Sequence, residues 1–159
     1  MAFYPKRITW HHSADASPGQ QLGKINASHK GRGFPFSSLG YFVGYHYLVE
    51  KDGSVVQTRK DNEIGAHTLN QNADNLGICM AGNFVTELPT DAQLAAFLRL
   101  AESLLVNYKL HFRDMHPHRF YKATACPGSL LPDDWPQVQL LAQKQRDVQG
   151  IMQAFTLLL

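Results

Sequence analysis

Cysteine is scarce: Cys79 and Cys126 are the whole supply in 159 residues. That is too few for the disulfide framework of a small secreted scaffold and too few for a four-thiolate zinc finger. No apolar run approaches the length of a membrane span, and the opening MAFYPKRITWHHSAD lacks the apolar stretch that follows the basic residues of a secretory signal. The expectation is a protein made in the cytoplasm without a signal peptide and without stable membrane insertion. Excess charge is also missing, since 15 Lys and Arg against 13 Asp and Glu leave +2. With no basic stripe, a nucleic-acid partner is not expected. Internal repeats, low-complexity tracts and linkers are absent too, so residues 1–159 read as a single domain.

The chain does have enough apolar mass for one core, at 44% hydrophobic residues against 18% charged. Arg7 to His11 is β-prone and runs into a Ser- and Pro-containing loop, which predicts a strand ending at the His11-His12 pair. Leu22, Ile25 and Ala27 to Lys30 form a weak amphipathic helix stopped by Gly31 and Gly33. Tyr45 to Val49 and Val55 to Thr58 flank Asp52-Gly53, a hairpin signal. Leu76 to Gly82 is continuously apolar, as for a central strand covered on both faces. Thr90 opens a capping box for a helix reaching Tyr108, with Leu94, Phe97, Leu98, Ala101, Leu104 and Leu105 on its apolar face. Pro136 and Gly150 bracket a last helix with Val138, Leu141 and Val148 on its apolar face, and the tail from Ile151 to Leu159 is expected to dock on the core as a last helical turn. Strands alternating with helices predict an α/β domain: a central mixed β-sheet flanked by helices.

Histidine is the unusual component, with eight residues. His11-His12, His116-Pro117-His118 and Ala125-Cys126-Pro127-Gly128 offer metal ligands beside loops, and the interval 126 − 118 = 8 lets a loop return one thiolate to the ion held by one imidazole. Zinc suits such a set, and three protein ligands leave the open position of a catalytic site. His11 and His12 face opposite ways along an extended strand, and pattern alone does not choose between them. Strand alternation puts Tyr45 and Tyr47 on one face and His46 on the other, as a packed residue. Cys79 reads as an inert core thiol, and His29 and His111 as surface residues.

The motifs Ile8-Thr9-Trp10-His11-His12-Ser13-Ala14, Val43-Gly44-Tyr45-His46-Tyr47 with Lys51-Asp52-Gly53, Gly65-Ala66-His67-Thr68, Asn75-Leu76-Gly77-Ile78 with Ala81-Gly82-Asn83-Phe84, and His118 through Cys126-Pro127-Gly128 stand in register. From Arg7 to Trp135 the chain thereby resembles the zinc-dependent N-acetylmuramoyl-L-alanine amidases, which share a fold with phage lysozyme-type amidases and animal peptidoglycan recognition proteins. Residues 136–159 lie beyond the resemblance. It implies a zinc ion held by His11, His118 and Cys126, and a catalytic Tyr45. Thr124 stands where some active relatives carry a lysine, so it offers a neutral hydrogen bond in place of a fixed charge. His67 lies in a motif bordering the substrate groove of relatives, with binding and structural roles evenly matched. Trp10, Phe34 and Phe36 are candidates for lining a sugar or peptide groove, against a packing role.

The implied activity is hydrolysis of the amide joining N-acetylmuramic acid to L-alanine in peptidoglycan. The implied setting is a monomeric phage or prophage endolysin acting on the wall after release, with a muropeptide-recycling role as the variant. A wall-binding module without turnover and a hydrolase with Cys126 as nucleophile are the competing classes.

Overall fold

The computed structural model describes residues 4–156. Five strands form one mixed sheet: β1 (Arg7–His12), β2 (Tyr47–Val49), β3 (Val55–Gln57), β4 (Asn75–Met80) and β5 (Met115–Pro117), in the order β3-β2-β4-β1-β5. β4, the continuous apolar run, is central and buried along its whole length. β1 runs parallel to β4 and β5, β2 runs parallel to β4, and only the β2–β3 hairpin is antiparallel.

Strand alternation divides the interior in two. Ile8, Trp10, Tyr47, Val49, Leu76, Ile78 and Met80 point to a large apolar layer closed by α2 (Asp91–Tyr108) and the start of α3 (Trp135–Thr156). Leu48 and Cys79 point the other way, towards Ile25 of α1 (Leu22–Gly31), with Val43 and Tyr45. The Thr90 hydroxyl accepts from Gln93 N, the expected cap of α2. α1 has no side-chain cap of its own. Instead the buried Glu50 carboxylate, just after β2, accepts from Gln21 N and Leu22 N at 2.9 Å, a long-range anion at a helix N-terminus.

Three expectations need correcting. Tyr45 and Tyr47 do not share a face, because residues 44–46 bend and the strand begins only at Tyr47, so Tyr45 packs on the α1 side and Tyr47 in the large layer. In α3 the buried residues are Pro136 and Leu140, while Val138, Leu141 and Val148 are about half exposed. Gln137 Nε2 ties the helix start to the carbonyls of Phe112 and Met115, setting a rotation that sends those three residues outward. The described part of the tail does not dock either: α3 continues through Gly150 to Thr156 with Ile151 and Met152 exposed, a glycine costing a helix interior only about 1 kcal/mol. Residues 157–159 lie outside the described residues.

Candidate metal centre and cleft

Parallel strands carry their carboxyl ends to one edge of the sheet, where ligand sites of open α/β sheets gather. His11 lies near that end of β1, and β5 runs directly into His118. The return of Cys126 is secured by Arg119, whose N–H donates to Cys126 O at 3.0 Å. Its guanidinium donates to Gly128 O at 2.8 Å and also bonds Leu131 O and Asp133. Gly128 has φ +111°, and a Cβ there would come within 2.4 Å of the Phe84 backbone, so the turn after Cys126 lies too close to its neighbour for any side chain.

The result is convergence. The ligand atoms of His11, His118 and Cys126 all lie within 4.8 Å of one another, and His11 Nδ1 is 3.6 Å from Cys126 Sγ. A tetrahedral zinc with ordinary Zn–N and Zn–S bonds holds nitrogen and sulfur about 3.6 Å apart, so the donor set fits that ion. Alternation resolves the histidine pair. His12 points to the large layer, where its Nδ1 accepts from Phe84 N at 3.1 Å, and His11 faces the cleft.

The cleft has a volume of about 600 Å³ and is lined by His11, Tyr45, His67, His118, Thr124 and Cys126 among others. The Tyr45 ring lies 5.0 Å from that of His11. Burial raises its hydroxyl pKa well above the ordinary value, with Cys79 and Cys126 adding to the rise, so it stays a hydrogen-bond donor. Burial likewise raises the Cys126 thiol to about 11, against the opposing influence of Arg119. His11 is pushed well below its usual range by burial and by neighbouring His67 and His118. Burial also lowers His118, with Lys122 contributing. Thr124 Oγ1 accepts from Cys126 N at 3.3 Å, supporting the ligand loop from within.

Other expected residues fall elsewhere. Trp10 is fully buried against Trp135, which in turn packs on Phe97, and is not among the cleft's lining residues. Standing one residue before His11 on a strand, it must face the opposite layer. Phe36 is exposed, rests on Phe42 and is not among the cleft's lining residues, whereas Phe34 is. His29 is not a surface residue: it is buried, stacks on Phe34 at 4.3 Å and accepts from Gly44 N at 3.0 Å. Arg119, Arg32 and Lys122, the latter two lining the cleft, carry no local sequence signal. Their role appears only once the loops close.

The family profile described as N-acetylmuramoyl-L-alanine amidase matches residues 2–129. The chain belongs to this amidase family. Among its relatives are peptidoglycan-recognition protein SC2 of Drosophila simulans, 30% identical over 131 residues covering 81% of this chain and 71% of the relative, and the endolysin of Escherichia phage T7, 27% identical over 135 residues covering 82% and 85%. A solved structure, the endolysin amidase LysCS from Clostridium intestinale URNW, is 32% identical with a TM-score of 0.74 over 87% of this chain and 84% of that one. The expected single mixed-sheet α/β architecture is the fold of these amidase and recognition-protein relatives. Among the described residues no helix is long and apolar enough to cross a membrane.

Proposed function

We propose that this amidase is zinc-dependent, holds its ion with His11, His118 and Cys126, and cleaves the amide between N-acetylmuramic acid and L-alanine of peptidoglycan as an endolysin that reaches the wall after release. The observation that carries the reading is the convergence of two imidazoles and one thiol, with a nitrogen–sulfur separation of 3.6 Å, beside a half-buried phenol. When bound, zinc would supply Lewis acidity, polarising the scissile carbonyl and acidifying water. Overall, water adds its oxygen to the carbonyl carbon, the C–N bond breaks, and a carboxylate and the free L-alanine amine leave.

The chain's own residues prepare that exchange. Tyr45, kept protonated by burial, donates to the carbonyl oxygen as charge develops on it. The Thr124 hydroxyl, whose oxygen accepts from Cys126 N, keeps its own proton for the cleft and offers a second, neutral donor. Arg32 and Lys122 on the lining suit the carboxylates of a stem peptide. A cysteine-nucleophile reading is disfavoured because burial pushes the Cys126 thiol up to about 11, where a nucleophile needs a lowered value.

The test is incubation with purified peptidoglycan, with and without chelator, and mass analysis of the products. Released peptides with a free L-alanine amine, lost with EDTA and restored by zinc, are expected. Shortened glycan chains would replace the reading with a glycosidase, binding without products would leave a recognition module, and chelator-resistant turnover abolished by thiol alkylation would point to Cys126 as nucleophile.

A further inference from the structure

His67 is more constrained than a wall of a substrate groove requires. Its Nε2 lies 3.1 Å from the carbonyl oxygen of Asn75, a group that can only accept, so the neutral ring carries its proton there. That carbonyl is held in place because it belongs to the first residue of β4, and the Asn75 side chain exchanges hydrogen bonds with Thr9 at 2.8 and 3.0 Å. Nδ1 of His67 is thereby left as an acceptor, and it faces His11 Nε2 at 3.1 Å and the Thr68 hydroxyl at 2.9 Å.

The ring also packs against two glycines, with the His46 ring edge-on at 5.7 Å. A Cβ on Gly77 would come within 2.6 Å of His67 Cγ and Cδ2, and one on Gly65 within 2.6 Å of Cδ2. Two glycines, one carbonyl and one hydroxyl thus confine a single imidazole in one orientation and one tautomer.

We infer that His67 is a positioning residue for the metal ligand His11. It takes the proton-bearing Nε2 of His11 as donor, so that Nδ1 of His11, the nitrogen 3.6 Å from Cys126 Sγ, keeps its lone pair directed at the ion site. This role rests on the zinc reading above and reassigns His67 from the substrate to the metal. It also explains why the Gly65-Ala66-His67-Thr68 and Asn75-Leu76-Gly77 segments occur together: the second supplies the carbonyl and the space that the first segment's histidine needs.

Two near-isosteric variants of the full chain separate the roles. In His67→Asn the side-chain oxygen can stand near the position of Nδ1 and still accept from His11, whereas His67→Gln places its amide near Nε2, keeping the bond to Asn75 and losing the acceptor. Zinc affinity, measured by competition with a chromophoric chelator, is expected to fall about 10–100-fold in His67→Gln. It should stay within about threefold of the parent in His67→Asn, the acceptor towards His11 being retained. The absorption bands of the cobalt-substituted protein should shift in His67→Gln and persist in His67→Asn.

Should either variant fail to fold, long-range proton–nitrogen NMR of the zinc-loaded parent decides, with His67 expected to carry its proton on Nε2 and His11 its proton on Nε2. Parent-like affinity and cobalt spectra in both variants, or a His67 protonated on Nδ1, would overturn the positioning role while leaving zinc binding intact. A parent that binds no zinc, or a Cys126→Ser variant that binds it as well as the parent, would instead overturn the zinc reading and this role with it.

Discussion

The two faces of the sheet do different work. On one, Trp10, Ile78, Met80 and Phe97 build an apolar layer that contributes cohesion. On the other, His11, Tyr45 and His67 meet at one end, at a cost in buried polar groups, where we propose the chemistry takes place. A step of one residue along β1 crosses from one to the other, Trp10 to His11 to His12. Adjacent residues in a strand therefore say little about each other's role, whereas residues far apart in sequence, such as His11 and Cys126, share one site.

The largest effect should come from the polar face. Cys126→Ser is expected to abolish zinc binding and lower turnover on peptidoglycan by roughly 10³-fold or more, several kcal/mol of transition-state stabilisation, while the urea midpoint of the metal-free protein changes little. Turnover close to the parent's would break the assignment of chemistry to that face. Tyr45→Phe should retain zinc and lose about 10²-fold in kcat, as for removal of one oxyanion donor. A variant with undiminished kcat would remove the phenol from the reaction.

The opposite face should answer in stability. Trp10→Ala is expected to cost about 3–5 kcal/mol in urea denaturation, with zinc affinity retained by the folded fraction. A stable variant with selectively poor substrate affinity would return Trp10 to the groove and blur the division between faces.

A pH dependence completes the set. His12 and His29 are lowered to about 4 and His67 to about 3, in each case chiefly by burial, against a starting value of 6.5. Below about pH 6.5 the unfolded chain takes up protons that the folded chain refuses, so stability must fall as pH drops. The depressed carboxylates Glu63 and Glu87 start from 4.5, so the interval from about pH 6.5 to 5 reports the histidines. The urea midpoint of the metal-stripped protein should decline across it. A flat or rising midpoint would mean that these imbalances are relieved by rearrangement.

Much of this was legible in the sequence. The β4 run, the Thr90 cap of α2 and the Asp52-Gly53 hairpin are local signals, and they form where the pattern puts them. The cleft residues His11, Tyr45, His118, Thr124 and Cys126 are legible through motifs in register. Motif position suggests a groove role for Trp10, although alternation opposes it to His11, and alternation pairs Tyr45 with Tyr47 because the bend at residues 44–46 leaves no periodic trace. His29 reads as a surface residue because α1 is too weakly amphipathic to announce which side it buries.

The sequence by itself determined the elements and the chemical inventory, since hydrophobic period, capping residues and donor types are properties of neighbours along the chain. Only the tertiary structure decided which histidine faces the cleft, that Glu50 caps α1, that Arg119 holds the ligand loop, and that α3 turns Val138 and Leu141 to solvent. Each of those depends on a contact across the fold, whose geometry is set by how the layers pack and leaves no mark in local sequence.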